Sequence, residues 1–303
     1  MFSQASKSRL SLIAAAILFS TGGAAIKACS LSSWQVAGFR SGIATVVLYI
    51  FLPGARPFGK PGWTRRTWLI GMAYAATLIL FVLANKLTTS ANAIFLQSTA
   101  PLYLLLLGPL VLREPIRKID LAVISTVAAG AILLLLGSGV TGSTAPNPGR
   151  GNSMALAAGV TWALTITGLR WMGKRQDHAD SGAATVIAGN LIAFAVCLPM
   201  AVPVEHASLK DIAILLYLGI FQISLAYVFL TRSLREVRGL EAATLLLIEP
   251  VFNPIWTWMI HGERPGTQAL LGGLLIVAAA FGGTVWRNKF TEVSQVRHTL
   301  RRD

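Results

Sequence analysis

Two ionisable residues stand inside long apolar runs, and chemistry is expected of them first. Glu249 is the eleventh residue of the stretch 239–261, roughly 15 Å from either end at 1.5 Å of helical rise per residue. Deep burial disfavours the charged form of a carboxylic acid, so Glu249 could take up and release a proton, or bind an amine. The competing role is a structural hydrogen bond or an ion pair between helices. Arg40 is the seventh residue of the stretch 34–52, about 9 Å from its nearer end. A guanidinium stays charged and makes forked bonds to carboxylates. Arg40 could therefore hold a carboxylate on a small molecule, or pair with Glu249. The alternative is an arginine that reaches up to lipid head groups.

Other polar residues join these two at helical spacing. At 100° per residue, Glu241, Leu245, Glu249, Phe252, Asn253 and Trp256 fall within an arc of about 120°. Asn92, Phe95, Leu96, Thr99 and Tyr103 share a comparable arc earlier in the chain. Each stripe mixes aromatic surface with hydrogen-bonding groups, which suits the lining of a chamber for a small amphiphilic molecule. Polar contacts between packed helices are the competing role. Asn85, Trp162, Asn190 and Gln222 are further candidates within their own apolar runs.

Other chemistries find no footing in the sequence. His178, His206, His261 and His298 are scattered, and no His-Glu-x-x-His or Cys-x-x-Cys spacing occurs. There is no Gly-x-Ser-x-Gly elbow and no Gly-x-x-x-x-Gly-Lys-Ser/Thr phosphate loop. Cys29 and Cys197 are too few for a disulfide scaffold. No enzyme, metal site or cofactor is expected.

The elements that carry these residues follow from composition. Of 303 residues, 54% are apolar and only 13% charged, about half the share of a soluble domain, and the mean hydropathy is +0.64. Such a chain cannot cover a globule with charge, and it is too apolar for disorder. Ten stretches are long enough to cross a bilayer as helices: 10–28, 34–52, 66–86, 91–112, 118–137, 151–172, 181–202, 209–232, 239–261 and 266–286. They are continuously apolar rather than alternating, which excludes barrel strands. Lys7, Arg9 and the Ala28-Cys29 pair resemble a cleaved leader, but Lys27 and the repeat below make the first stretch a structural helix.

Charge sets the orientation. Lys and Arg in the N-terminus, the even-numbered connections and the C-terminal tail number 20; the odd-numbered connections hold five, Lys27, Lys86, Arg150, Lys210 and Arg264. By the positive-inside rule both termini are cytoplasmic. The net charge of +14 is then a topology signal beside anionic lipid, and no nucleic-acid partner is expected.

The halves repeat. Pro101 and Pro250 sit near the middle of the fourth and ninth stretches, Glu114 and Glu263 follow their ends, and both pairs are offset by 149 residues. Phe19 with Lys27 corresponds to Trp162 with Arg170 at an offset of 143. Each copy holds five spans, an odd number, so the second inserts upside down. The expected fold is an all-α membrane protein of ten transmembrane helices in two inverted five-helix repeats, 10–137 and 151–286. A Gly/Ser/Pro-rich linker (138–150) and a basic cytoplasmic tail (287–303) complete the chain. Pro250 is expected to bend its helix by freeing the Leu246 carbonyl. Glu114 and Glu263, beside Arg113 and Arg264, are read as structural. Ala278 and Gly282 could pack against a second copy as a homodimer.

At these residues the chain resembles the EamA family of the drug/metabolite transporter superfamily, over about residues 10 to 286. The marks are the two five-span copies, the central prolines, and the span ends Leu112-Arg-Glu-Pro115 and Gly262-Glu-Arg-Pro265. Trp162-Ala163 opens the second copy in the usual manner, whereas the first copy has Phe19-Ser20. The resemblance implies a bacterial inner-membrane secondary transporter for small organic solutes, often an exporter of amino acids or related metabolites. It also implies a cavity lined by spans 1–4 and 6–9. On this reading Glu249 couples protons, or transport is facilitative. Arg40 orients the solute, and Phe95, Tyr103, Trp162 and Trp256 pack on it beside Asn92, Thr99 and Asn253. The same fold carrying cationic drugs or nucleotide-sugars is an alternative, as is a non-transporting membrane scaffold.

Overall fold

The computed structural model describes residues 4–52, 63–112, 118–136, 143–174, 181–233, 245–279 and 281–282, and among them no strand forms. Helix α1 (Gln4–Ser20) breaks at Thr21 and continues as α2 (Gly22–Ala28). Then come α3 (Ser33–Phe51), α4 (Arg65–Leu87), α5 (Ser90–Gln97) and α6 (Ala100–Leu107), the last running into a π-helical turn, Gly108–Leu112. Next are α7 (Lys118–Leu136), α8 (Pro148–Lys174) and α9 (Ser181–Ala201). The chain goes on through α10 (Leu209–Tyr217), a π-helical stretch (Leu218–Leu225) and α11 (Ala226–Ser233). It ends in α12 (Ile248–His261) and α13 (Thr267–Ala279).

Helical segments therefore stand in each of the ten apolar stretches. Five are long and apolar enough by themselves to cross a bilayer: Lys7–Ala28, Ser33–Phe51, Arg65–Leu87, Gly182–Ala201 and Leu209–Leu230. Leu121–Leu136 and Thr267–Ala279 are apolar but shorter. Their outer faces carry large apolar side chains such as Val46, Leu121, Met259 and Leu274, each more than half exposed. That surface needs a hydrocarbon solvent to cover it.

The fourth and ninth stretches are not bent helices but broken ones. Thr99 (φ −72°, ψ −2°) and Leu247 (φ −66°, ψ −9°) leave the helical run in the same backbone conformation. Each is followed by a new helix with proline in its first turn, Pro101 or Pro250. A proline there costs no hydrogen bond, because first-turn N–H groups have no partner within the helix. The bend expected at Pro250 is thus a restart, and Glu249 lies in the first turn of a helix rather than in the middle of one.

Packing joins the chain's two halves. Helix α4 lies against α8 and α9, α3 against α9 and the π-helical stretch, and α1 against α11 and α12. The backbones of α7 and α13 touch: a Cβ on Gly130 would come within 2.6 Å of Gly272 O, and one on Gly272 within 2.5 Å of Gly130 O. Glycine at both positions permits that approach, the small-residue packing typical of membrane helices.

The described odd-numbered connections meet at one end of the bundle. The Ser30 N–H and hydroxyl donate to the Asp211 carboxylate at 2.6 and 2.8 Å, joining the first connection to the start of α10. Gln35 reaches the Ala201 carbonyl at 3.1 Å, Asn147 N–H bonds Leu87 O at 3.0 Å, and Lys86 donates to Cys29 O. Asp211 also completes a capping box, accepting the Ser208 N–H at 3.1 Å while its own N–H bonds the Ser208 hydroxyl, which in turn donates to its carboxylate at 2.5 Å. It is 1% exposed. Asp211→Ala strands these donors, so it should cost about 2–3 kcal/mol of stability, against about 1 for Ser30→Ala, measured by thermal unfolding in detergent.

Candidate functional site

A cavity of about 360 Å³ lies between the halves. Its lining comes from α1, α3, α4, α5, α6, α8, the π-helical stretch, α11 and the start of α12, and none comes from α7, α9 or α13. Most of that lining is apolar, and a few polar groups are set into it.

Arg40 is 1% exposed on α3. Its Nη2 donates to the Leu78 carbonyl at 3.1 Å, and its Nε has no hydrogen-bond partner. Glu249 faces the same cavity from the first turn of α12. Among the described residues neither makes an ion pair, although both line one chamber. Tyr74 and Tyr227 lie within electrostatic reach of both charges. The two tyrosine rings meet edge to face at 5.6 Å, with the buried Tyr74 hydroxyl beside Tyr227 and Asn190. Phe19 packs on Tyr227 at 5.2 Å and Trp162 on Tyr74 at 6.4 Å, so four aromatic rings form a continuous wall. The buried Oε1 atoms of Gln97 and Gln222 also lack partners, and both residues line the cavity.

This set can receive an amphiphile. Buried polar atoms without partners are costly unless something fills their bonding capacity. Arg40 Nε offers a donor, Glu249 and the two amides offer acceptors, and the aromatic wall offers apolar surface. The helix breaks supply a further feature. Ser98 and Ala100 flank the first break and Leu247 and Glu249 the second, and all four line the cavity.

The sequence candidates divide by position. Arg40, Trp162, Gln222 and Glu249 are brought together around the cavity. Asn253, fully buried, places its Oδ1 3.1 Å from the Ser90 hydroxyl, which also donates to Asn85 Oδ1 at 2.6 Å. Trp256 donates to the Ser20 hydroxyl at 2.9 Å. Asn92 donates to Asn152 at 3.4 Å, Thr99 bonds the Leu96 carbonyl at 2.6 Å, and Phe95 is packed at Gly273. Asn190 bonds the Val186 carbonyl at 2.9 Å, and Tyr103 is half-buried on α6. Glu241 and Glu114 lie outside the described residues. Sequence reasoning passed over Tyr74, Gln97 and Tyr227, and used Phe19 only as a repeat marker. A signal was present: Tyr74, Thr77, Leu78 and Phe81 follow i, i+3, i+4, i+7 spacing, one face of α4.

Beyond the cavity, α2 and α12 are sealed by polar contacts. His261 Nε2 donates to the Ala24 carbonyl at 2.8 Å, and Lys27 pairs with Glu263 at 3.1 Å. Gly262 makes this possible, since its φ of 65° ends α12 in the left-handed conformation and turns Glu263 back onto the Ser90 N–H at 2.5 Å.

Broken helices meeting around a buried chamber of mixed polarity are the construction of a membrane transporter. The chain belongs to the EamA-like transporter family, whose model matches residues 7–136 and again 149–284. Among curated proteins it is similar to the pseudopaline exporter CntI of Pseudomonas aeruginosa, 25% identical over 88% of this chain and 92% of that one. It is 26% identical to the threonine/homoserine exporter RhtA of Escherichia coli, over 86% and 85% of the two chains. An uncharacterized transporter of Archaeoglobus fulgidus is 26% identical over 83% and 87%. A crystal structure 20% identical to the chain superposes with a TM-score of 0.63, covering 93% of this chain and 98% of the other, a likeness of fold. The protein is an integral membrane transporter and not an enzyme.

The seal yields a steric prediction. A Cβ on Gly23 would overlap the Ser90 hydroxyl and come within 2.5 Å of Asn253 Oδ1. Gly23→Ala should cost about 1–3 kcal/mol by overpacking, measured as a lower unfolding temperature in detergent.

Proposed function

We propose that this protein exports small zwitterionic solutes, amino acids and related metabolites, across a bacterial inner membrane by alternating access. The observation that carries the reading is one cavity lined by both Arg40 and Glu249, unpaired with each other, with Tyr74 and Tyr227 within electrostatic reach of both. A carboxylate on the solute meets the guanidinium, an amine meets Glu249, and the solute's body lies on Tyr74, Trp162 and Tyr227. The names of two relatives, exporters of pseudopaline and of threonine and homoserine, support export, and the second supports an amino-acid cargo. Nucleotide-sugars fit less well, because Arg40 is the sole cation lining the cavity among the described residues.

The two halves act as inverted repeats. Exchanging the first five spans for the second five turns the contact of α4 with α8 into that of α11 with α1, and both contacts form. The same exchange relates the broken fourth span to the broken ninth, and the family model matches twice. This pseudo-symmetry supports two states of similar energy, one open to each side. The Lys and Arg distribution supports cytoplasmic termini. Glu249 carries the coupling proton, bound when the cavity faces the proton-rich side.

The test is flux in proteoliposomes. Glu249→Gln should make efflux of the transported amino acid independent of an imposed pH gradient, while full pH-dependent transport by this variant would sink the coupling role. Arg40→Ala should slow transport of carboxylated solutes about 10- to 100-fold, the loss expected for one charged hydrogen-bond donor. Unchanged flux would remove Arg40 from the site.

A further inference from the structure

We propose that Lys27 and Glu263 form the latch of one mouth of the transport pathway, a contact that must break in each cycle. The inference rests on the transporter reading above and adds a part that reading does not need.

The position of the pair suggests the role. Helices α2 and α12 run side by side away from the cavity. On α12, Glu249 and Pro250 line the chamber and Asn253 lies one turn further on, beside the Ser90 hydroxyl. Trp256 then bonds Ser20, His261 bonds the Ala24 carbonyl, and Glu263 closes the end. On the opposing strip, Phe19 lines the chamber and Ser20, Gly23, Ala24 and Lys27 follow in order. The side-chain contacts named here past the cavity are polar, and the ion pair is the last of them along both helices.

The pair is also a junction of four helices and one connection. Lys27 Nζ lies 3.1 Å from Glu263 Oε2 and donates to the carbonyls of Thr88, at 2.9 Å, and Thr144, at 2.5 Å. Glu263 Oε1 accepts the Ser90 N–H at the start of α5. Thr144 belongs to the connection between the halves, so the two charges tie together the ends of α2, α4 and α12, the start of α5 and that connection. Their side chains are 5% and 3% exposed.

Chemistry favours a latch over a rivet. An apolar seal of this size would resist wetting, because opening it exposes hydrocarbon. A buried ion pair gains little net energy, since the cost of desolvation offsets most of the attraction. Once hydrated, the two charges lose almost nothing, as exposed pairs are worth about 0–1 kcal/mol. The closed and open arrangements are therefore close in energy, which alternating access requires. Removing the acidic charge upsets that balance, leaving Lys27 buried on the Thr88 and Thr144 carbonyls without a counter-charge, a cost that water entering the mouth relieves.

The experiment places a reporter in the cavity. Ser98→Cys, in a background of Cys29→Ala and Cys197→Ala, puts a thiol on the cavity wall in a near-isosteric exchange. A membrane-impermeant maleimide is added from the face on which a Glu205→Cys marker labels, since exposed Glu205 shares the Lys27 end of the bundle. The parent should label slowly. Glu263→Gln should label about tenfold faster or more, the population shift expected when a charge pair no longer favours the closed state. Glu263→Asp should stay near the parent rate. Labelling of Glu263→Gln at the parent rate overturns the latch. Should that variant fail to fold, Lys27→Met/Glu263→Gln, which strands no charge and makes the layer less polar, should label more slowly than the parent, and labelling at the parent rate or faster overturns the latch. Flux by the parent in proteoliposomes separates the two ideas: flux with unchanged labelling removes the latch and leaves the transporter, whereas faster labelling in a parent without flux leaves an opening contact and removes the transporter.

Discussion

A bilayer core offers no water to hydrogen-bond, and that constraint shapes every polar choice in this molecule. Each backbone N–H and C=O must find a partner inside the protein, so every described segment at membrane depth is helical. Each ionisable side chain must be paired, led to a helix end, or turned toward a wet chamber. The described residues use all three solutions. Lys27 and Glu263 are paired. Lys86 and Asp211 sit at helix ends, on the Cys29 carbonyl and the Ser30 and Ser208 donors. Arg40 and Glu249 face the cavity.

The third solution leads to function. Arg40 spends one donor on Leu78 and keeps another unused, while a cavity large enough for a small solute opens beside it. In hydrocarbon that arrangement would be intolerable; beside a chamber that exchanges solute and water, it is what the proposed solute-binding role requires. The broken helices belong to the same logic. Interrupting a helix at Thr99 and Leu247 frees backbone groups, which membrane proteins tolerate only where the chain lines a cavity or is buried in protein. A proline in the first turn of each new helix keeps the restart inexpensive, since the donor it lacks would have had no partner.

The polar end of the bundle contrasts with its apolar flanks. Connections after the first, third, fifth, seventh and ninth spans converge through Ser30–Asp211, Gln35–Ala201, Asn147–Leu87 and Lys27–Thr144 bonds and the Lys27–Glu263 pair. Such a network is stiff when dry and labile when wet, so one structure can hold a seal and give it up. The glycine contact of α7 with α13 is of the other kind, backbone on backbone without a polar side chain.

Much of this was legible in the chain of amino acids. Span positions follow from apolar length, the alternation from Lys and Arg, and the offset of 149 residues from Pro101 and Pro250, because those signals are local or additive along the sequence. Arg40 and Glu249 could be singled out because a charge in an apolar run is conspicuous. Of the cavity's aromatic wall only Trp162 could be. In water a helix shows its buried face by contrast with a polar one; in lipid both faces of α4 are apolar, so the i, i+3, i+4, i+7 spacing of Tyr74, Thr77, Leu78 and Phe81 marks one face without telling that it turns inward. Nor could the chain say that Glu249 opens a helix or that Lys27 meets Glu263 across 236 positions. Those facts depend on how α2, α5 and α12 pack, and only the folded bundle brings such distant residues within bonding distance.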